Sequence, residues 1–211
     1  MLPSMSKAPH RPRSRKNDPA AVRNRILDAA ADLFQNQGYS ETSIDAITKA
    51  AGVSSGALHH HYANKKALGL AVVRERVSRE VELSWIRPVQ DAPRAADGIG
   101  AAMTAIADAL DASKRVRGCP LNNLALELAF ADPEFREALD PIFQRWQDAL
   151  ASRLASEAEG SSEAHISSEA LATLVVAAYS GAMTMSKAAQ STAPMSTVIA
   201  TLERILARDA A

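Results

Sequence analysis

The sequence predicts an all-α protein, and three observations support this prediction. Apolar residues recur at helical spacing along most of the chain, and no run of β-branched residues alternates with the period of two that strands need. Asp18-Pro19 and Asp132-Pro133 each combine an N-cap residue with a proline suited to the first helical turn. Hydrophobic residues make up 47% of the chain and charged residues 23%, as is typical of folded globular proteins.

Two helices are predicted before residue 52. The first begins after Asp18 and ends at Gly38, which no longer fits its apolar repeat. Thr42 and Asp45 form a pair with the spacing of a capping box, and they begin a second, shorter helix. That helix is expected to end before Gly52.

A third helix follows after a very short connection. Ser54 is its expected N-cap, Val53 is placed to pack against Leu58, and the helix runs to about Tyr62. Gly52 permits the positive φ of a tight turn, so the second and third helices are predicted to form a helix-turn-helix. An αα-hairpin without any DNA function would have the same turn.

The third helix is the expected DNA-reading element, because small residues at its start let its backbone approach base edges in a major groove. The residues expected to face outward are Ser55, Gly56, Ala57, His59 and His60. Hydroxyl and ammonium groups near helix N-termini are suited to phosphates. Those groups belong to Thr42, Ser43, Ser54 and Lys65.

Longer helices are predicted in the remainder of the chain. After the Asn64 cap, a fourth helix should run from Lys65 to about Trp85 and be halted by Pro88. Further amphipathic helices are expected at residues 95–113 and 120–130, from Asp132, from Ser167 and after Pro194. The helix that contains residues 171–185 is apolar on all sides, and it should therefore be buried on more than one side.

Charge is unevenly distributed, although 24 basic and 24 acidic residues give a formal net charge of zero. Residues 1–17 contain five basic residues and no acidic one, and residues 67–211 carry an excess of five acidic groups. The first 17 residues are expected to form a disordered basic arm that lies along phosphates, or else a solvated chain start without a function.

Composition also argues against several classes of protein. A single cysteine excludes an internal disulfide and a cysteine-based zinc site. The first twenty residues lack the apolar stretch of a signal peptide, and hydroxyl side chains interrupt the most apolar region, residues 170–185. We therefore expect a cytoplasmic protein without a membrane segment, a metal or a cofactor.

An ordered set of residues between positions 22 and 68 has the pattern of a known family. The set comprises the helix with Ile26 to Phe34, then Gly38-Tyr39, Thr42, Ile47 and the segment AGVSSGALHHHYANKKAL from Ala51 to Leu68. It resembles the TetR family of transcriptional regulators. The resemblance implies an all-α dimer with a three-helix DNA-binding head, residues 18–64, and a C-terminal ligand-binding and dimerisation domain, residues 65–211.

The same resemblance implies roles for residues of the head. Ser55, Gly56, Ala57 and His60 fall where members read bases, and Thr42, Ser43, His59 and Lys65 fall where members hold phosphates. Members usually have tyrosine at the position of His59. Because an imidazolium would bind phosphate more strongly than a neutral ring, DNA affinity should rise as the pH falls, and titrations of wild type and His59→Phe would test this. Neighbouring helical histidines point about 100° apart, so the three here should not converge on a metal.

A ligand cavity is expected among the middle helices of the C-terminal domain. The residues predicted to line it are Cys119, Asn122, Asn123, Glu127, Trp146, Tyr179 and Met183. The amides and the carboxylate would orient a ligand between apolar side chains, or they are simply solvated or capping groups.

Cys119 follows Arg115 and Arg117 and lies near a predicted helix start, two features that lower a thiol pKa. It is either a sensor thiol, with Lys187 as a neighbour across the cavity, or a buried and inert cysteine.

The last two long helices are expected to form a four-helix interface with their symmetry mates. The residues expected there are Leu171, Leu174, Val175, Ala178, Ala182, Met185, Val198, Leu202 and Ile205.

The predicted function is that of a ligand-responsive repressor, released from a double-stranded DNA operator by a small molecule. The alternatives are an enzyme that uses Cys119, which has only His165 as a histidine outside the head, and a non-specific DNA binder, which would need a more positive head.

Overall fold

The computed structural model describes residues 18–158 and 166–209, which form nine helices and no strand. The helices are α1 (Pro19–Gln37), α2 (Ile44–Ala51), α3 (Ser55–His61), α4 (residues 65–91), α5 (Ala95–Ser113), α6 (Pro120–Leu128), α7 (Pro133–Ala158), α8 (Ser168–Ala189) and α9 (Ala193–Asp209). Below, α1 to α3 are called the head and α4 to α9 the body. The all-α prediction is confirmed, whereas the basic arm predicted at residues 1–17 lies outside the described residues.

The fourth helix continues beyond the end that was predicted from Pro88. Two π-helical turns, Val73–Val77 and Glu82–Ile86, interrupt its α-helical hydrogen bonding. Pro88 lies directly after the second of them, in the first turn of the α-helical stretch Arg87–Asp91. Proline cannot donate an N–H to the preceding turn, and here that turn is π-helical, with the Arg87 amide already donating five residues back to Glu82 O instead of four. The predicted end near Trp85 is therefore wrong, and α4 extends to residue 91.

The head and the body each have their own helix packing, and an aromatic contact joins them. Inside the head, α1 contributes the buried side chains Ile26, Leu27, Ala30 and Phe34, which pack with Ile47 of α2 and Leu58 of α3. In the body, α8 packs against α7 and α9, and α9 packs against α5. Between the two, the ring of Tyr39 in the α1–α2 loop packs at a tilt against Phe34 and edge to face against Phe135, with ring centroids 5.1 and 5.2 Å apart.

One face of α8 stays open in the protomer, although the helix is apolar on all sides. Leu174 is 40% exposed and Met185 is 62% exposed, whereas Val175 and Tyr179 on the opposite face are buried. The second buried side that was expected for this helix is therefore not supplied by the protomer itself. Among the helices of residues 18–158 and 166–209, none combines the length and the hydropathy that a membrane span requires.

Candidate DNA-binding surface and ligand cavity

The turn between α2 and α3 has the backbone conformation that was predicted for it. Gly52 adopts φ 63° and ψ 42°, in the left-handed region that favours glycine. The amide of Val53 then donates to Thr48 O at 3.0 Å, and Leu58 anchors α3 with no exposed surface. The predicted helix-turn-helix is confirmed.

Anchoring through Leu58 leaves the outer face of α3 open. Ser55, Gly56, His59 and His60 are exposed, and Ala57 is half-buried. The rings of His60 and His61 meet edge to face, with centroids 5.3 Å apart. The side chains predicted to read bases therefore share one accessible surface, and their contacts with bases stay a prediction.

Thr42 is not placed as the sequence predicted. Its side chain is 1% exposed, and its hydroxyl donates to Gly38 O at 2.7 Å while it accepts from Gln37 Nε2 at 3.2 Å. Ser43 caps α2 instead, since its Oγ accepts from the Ala46 amide at 3.0 Å. The predicted cap and phosphate contact of the Thr42 side chain are therefore wrong, because its hydroxyl closes the turn after α1.

The other predicted phosphate-binding groups lie near the surface. Ser43 and Ser54 are exposed, and Ser54 Oγ accepts from the Ala57 amide at 3.1 Å, which leaves its hydroxyl proton free to donate. Lys65 is half-buried, and its Nζ donates to Ser40 O at 3.0 Å. The ammonium thus sits beside the α1–α2 loop at one edge of the head.

Glu127 does not line the cavity and connects the body to the head. Its carboxylate accepts hydrogen bonds from the Tyr39 amide at 2.9 Å and the Ser40 amide at 2.6 Å. Partial burial raises the pKa of Glu127, but hydrogen bonds from Ser40 and Tyr39, with the charge of Lys65, outweigh that effect and lower the pKa below its usual value. The predicted ligand-orienting role is wrong, because the third turn of α6 faces the head.

A second polar connection joins α1 to α6 and α8. Gln35 Nε2 donates to Gly118 O at 2.5 Å, and Asn123 Nδ2 donates to Gln35 Oε1 at 3.0 Å. Lys187 Nζ completes the set by donating to Asn123 Oδ1 at 3.0 Å. We call these four residues the head–body clasp. Lys187 therefore contacts Asn123, and not Cys119 as the sequence suggested.

Asn122 and Asn123 also lie outside the cavity lining. Asn122 is buried, and its Oδ1 accepts from Ser180 Oγ at 3.3 Å in the contact between α6 and α8. The prediction that these amides face the cavity is wrong, because only the start of α6 borders it and the next turn contacts α1 and α8.

A cavity of about 820 Å³ lies between α1, α4, α5, α6, α7 and α8. Four of the predicted pocket residues line it, namely Cys119, Trp146, Tyr179 and Met183. The sequence interpretation missed Glu80, Ser84 and Trp85 of α4 and Asp32 and Gln35 of α1. Glu80, Ser84 and Pro88 are spaced four residues apart and so lie on one face of α4, but this spacing does not indicate that the face borders a cavity.

Three aromatic rings form one wall of the cavity. The ring centroid of Trp85 lies 4.8 Å from that of Trp146 and 4.7 Å from that of Tyr179, and Trp146 and Tyr179 are 5.6 Å apart. Trp146 is fully buried, and its indole N–H has no hydrogen-bond acceptor within the described part of the chain. A buried donor without a partner is costly, so this wall is suited to a bound molecule that supplies an acceptor or an electron-rich face.

Cys119 borders the cavity as the N-cap of α6, but its thiol is not activated. Burial raises the pKa of Cys119, and hydrogen bonds from α6 amides and the Tyr179 hydroxyl oppose this effect only in part. The preceding Arg117 does not compensate, because its guanidinium pairs with Asp32 at 2.8 Å. The predicted lowering of the thiol pKa is therefore wrong.

The residues predicted for a subunit interface divide into two groups. Leu171, Val175, Ala182 and Leu202 are buried inside the protomer, so the prediction that they face a partner is wrong: they pack against neighbouring helices of their own chain. The others remain accessible, fully or in part. They are Leu174, Ala178, Met185, Val198 and Ile205.

Two protein-family models match the chain. The model "Bacterial regulatory proteins, tetR family" matches residues 26–72, which contain the helix-turn-helix. The model "Transcriptional regulator LmrA/YxaF-like, C-terminal domain" matches residues 95–201, just over half of the chain and most of the body.

Similar proteins are regulators as well. The chain is 26% identical to the HTH-type transcriptional regulator LmrA of Bacillus subtilis, a match that covers 88% of this chain and 97% of that protein. It is 25% identical to the HTH-type transcriptional repressor DhaR of Mycobacterium sp. strain GP1, over 82% of this chain and 86% of that one. A TetR transcriptional regulator structure from Chloroflexus aurantiacus has the same fold, with a TM-score of 0.80, 23% identity and coverage of 92% and 98%. The chain therefore belongs to the TetR family of transcriptional regulators.

Proposed function

We propose that this regulator is a homodimeric repressor that binds a double-stranded DNA operator through α3 and is released when a small molecule occupies the cavity. The observation that carries the proposal is that one cavity is bordered by both the head and the body. Ala31, Asp32 and Gln35 of α1 line it together with residues of α4 to α8. The similar protein DhaR is a transcriptional repressor, and this supports repression as the direction of regulation.

The exposed face of α3 supports sequence-specific binding. Two copies of α3 in a dimer would enter successive major grooves, about 34–36 Å apart along the duplex. The head has no large excess of basic residues, with Arg23, Arg25 and Lys49 against five acidic side chains in residues 18–64. Binding that relied on charge alone would need more cations, so base contacts are the better source of affinity.

Release is proposed to act through the head–body clasp. Gln35 takes part in the clasp and also lines the cavity, so a molecule in the cavity contacts the group that holds α1 to Gly118. A ligand that favours a head position in which this bond is broken shifts the population toward that position. A roughly hundredfold preference corresponds to about 2.7 kcal/mol, which is ample for control of an operator.

DNA binding at fixed salt tests the proposal. Fluorescence anisotropy would compare a duplex from the region upstream of this regulator's own gene with a random duplex of equal length. We expect His60→Ala to weaken binding to the operator by about 5- to 100-fold and to leave binding to the random duplex nearly unchanged. Equal affinities of the wild type for both duplexes would contradict the proposal and favour a non-specific DNA binder.

A further inference from the structure

The charged groups that line the cavity leave one carboxylate without a cation. Among the described lining residues, the charged ones are Asp32, Glu80 and Arg117, and Arg117 pairs with Asp32 at 2.8 Å. Within the described part of the chain, Glu80 forms no ion pair and accepts one hydrogen bond, from Ser84 Oγ at 3.2 Å. Arg76, one turn earlier on α4, is instead bound to an aspartate of α1 at 2.7 Å. The cavity therefore has a net negative charge at Glu80.

The aromatic wall lines the same cavity as this carboxylate. Trp85 follows Glu80 on α4, and its ring is tilted by 50° to that of Trp146 and meets that of Tyr179 edge to face. Burial raises the pKa of Tyr179 well above its usual value, and the neighbouring Cys119 and Glu80 act in the same direction. The faces of tryptophan and tyrosine rings attract cations.

Small side chains of α5 leave room in the cavity for a bulky molecule. Ala101, Ala105 and Ala109 line it at successive helical turns, and Ala102, Ile106, Leu110 and Ser113 of the same helix complete that side of the lining. A cavity of about 820 Å³ lies in the range of drug-sized ligand sites. Its lining combines three aromatic rings, several small residues of α5 and one carboxylate, that of Glu80, without a cation.

We infer that the effector is an organic cation with a bulky apolar body, whose positive charge lies near Glu80 and whose body packs against Trp85, Trp146 and Tyr179. The inference rests on the proposed function and specifies its ligand class. A quaternary ammonium or phosphonium group, or a protonated amine on an apolar body, has this chemistry. An anion of the same size is disfavoured, because it would lie beside a carboxylate that has no cation to offset it.

Two ions of nearly identical shape and opposite charge provide the test. Tetraphenylphosphonium is the cationic probe and tetraphenylborate is the anionic one, titrated in sodium buffers because potassium precipitates the borate. Trp85 and Trp146 are the two tryptophans of the chain and both line the cavity, so a molecule bound there should change the intrinsic tryptophan fluorescence. We expect the phosphonium to quench or shift this fluorescence with saturation, and to bind more tightly than the borate.

A pair of variants on α4 separates a direct contact from the general charge of the protein. Glu80→Gln should weaken phosphonium binding by about fivefold or more and should not weaken borate binding. Glu82→Gln removes the same charge from the same helix, but Glu82 lies outside the cavity lining and pairs with Arg87 at 3.3 Å. This control should bind both probes as the wild type does. Equal binding of the two ions, equal effects of the two variants, or no binding of either ion would overturn the inference.

Operator binding distinguishes failure of the ligand class from failure of the proposed function. If the wild type binds its operator specifically but neither probe binds the cavity, the cation is wrong and the repressor function stands. If phosphonium binds through Glu80 but no operator is bound, the ligand class stands and the repressor function is wrong. If both are correct, phosphonium releases the operator from the wild type at lower concentration than from the Glu80→Gln variant.

Discussion

Glu127 on α6 accepts a hydrogen bond from the Ser40 amide at 2.6 Å, and this bond links the cavity to the head through one short helix. Cys119 caps the start of α6 and Pro120 forms its first turn, and both line the cavity. The helix spans nine residues, or about 13 Å. A displacement of the cavity wall at Pro120 would therefore move the group that holds the α1–α2 loop.

Glu127→Gln should weaken this link in a pH-dependent manner. The folded protein lowers the pKa of Glu127, so the charged carboxylate stabilises the fold above its unfolded pKa of about 4.3, and this contribution is lost as the pH falls through the folded value. We expect the variant to lose about 1 kcal/mol of unfolding free energy at neutral pH, because the carboxylate is partly exposed. Urea unfolding at neutral pH and at about pH 3 measures the difference.

The exposed Glu137 provides the control, since Glu137→Gln removes a carboxylate of α7 that binds no described backbone amide. Its unfolding free energy should match that of the wild type at both pH values. If Glu127→Gln lowers the unfolding free energy as much at about pH 3 as at neutral pH, the charge of Glu127 is not what stabilises this link.

Gly98→Ala tests the close crossing of α4 and α5. A Cβ atom at Gly98 would lie 2.7 Å from Val89 Cα and 2.9 Å from Pro88 O, and these backbone atoms cannot move aside cheaply. Although alanine is the better helix former by about 1 kcal/mol, we expect the overpacking to lower the unfolding free energy by about 1–3 kcal/mol. Gly100→Ala on the same helix meets only the flexible Glu203 side chain at 3.4 Å, and it should be neutral or stabilising. Thermal unfolding measures both variants. Equal midpoints for Gly98→Ala and Gly100→Ala would contradict the close crossing of α4 and α5 at Gly98.

Features encoded by local rules were predictable from the sequence. Ser54 as an N-cap, the left-handed Gly52 and the exposed outer face of α3 follow from residue type and spacing, and the structure has all three. Thr42 was mistaken for the cap of α2 because Thr42 and Ser43 are adjacent hydroxyl residues, and only the backbone geometry after Gly38 selects between them.

Long-range placement was not predictable in the same way. Helical periodicity indicates that Asn123 and Glu127 lie on one side of α6, but it does not indicate which helix packs there, so both were assigned to a cavity that they do not line. The two π-helical turns of α4 are changes in backbone hydrogen bonding that leave the apolar pattern intact. For this reason the sequence pattern alone predicts that the helix is halted by Pro88.

Cys119 should react slowly in the folded protein. Burial raises the pKa of its thiol, so little of the nucleophilic thiolate is present at neutral pH. We expect iodoacetamide to alkylate the native chain far more slowly than the chain unfolded in urea, with at most one adduct because the sequence has one cysteine. Intact-mass spectrometry over time measures both rates, and Cys119→Ser provides the blank. Equal rates in the two states would revive the sensor-thiol hypothesis.

Leu174→Arg should dissociate the proposed dimer. Leu174 and Met185 are the exposed large apolar side chains of α8, and they lie three helical turns apart on one face together with the half-buried Ala178. A charge buried against the same face of a symmetry mate would face its own copy across the twofold axis, and neither arginine would have a partner. Sedimentation velocity should therefore detect a monomer, and operator affinity should fall because a single head binds one half-site.

Leu83→Arg is the matched control, since Leu83 of α4 is 44% exposed, close to the 40% of Leu174, and lies off this face. A dimer that persists in Leu174→Arg, or one that is lost equally in both variants, would show that this face of α8 is not the subunit contact.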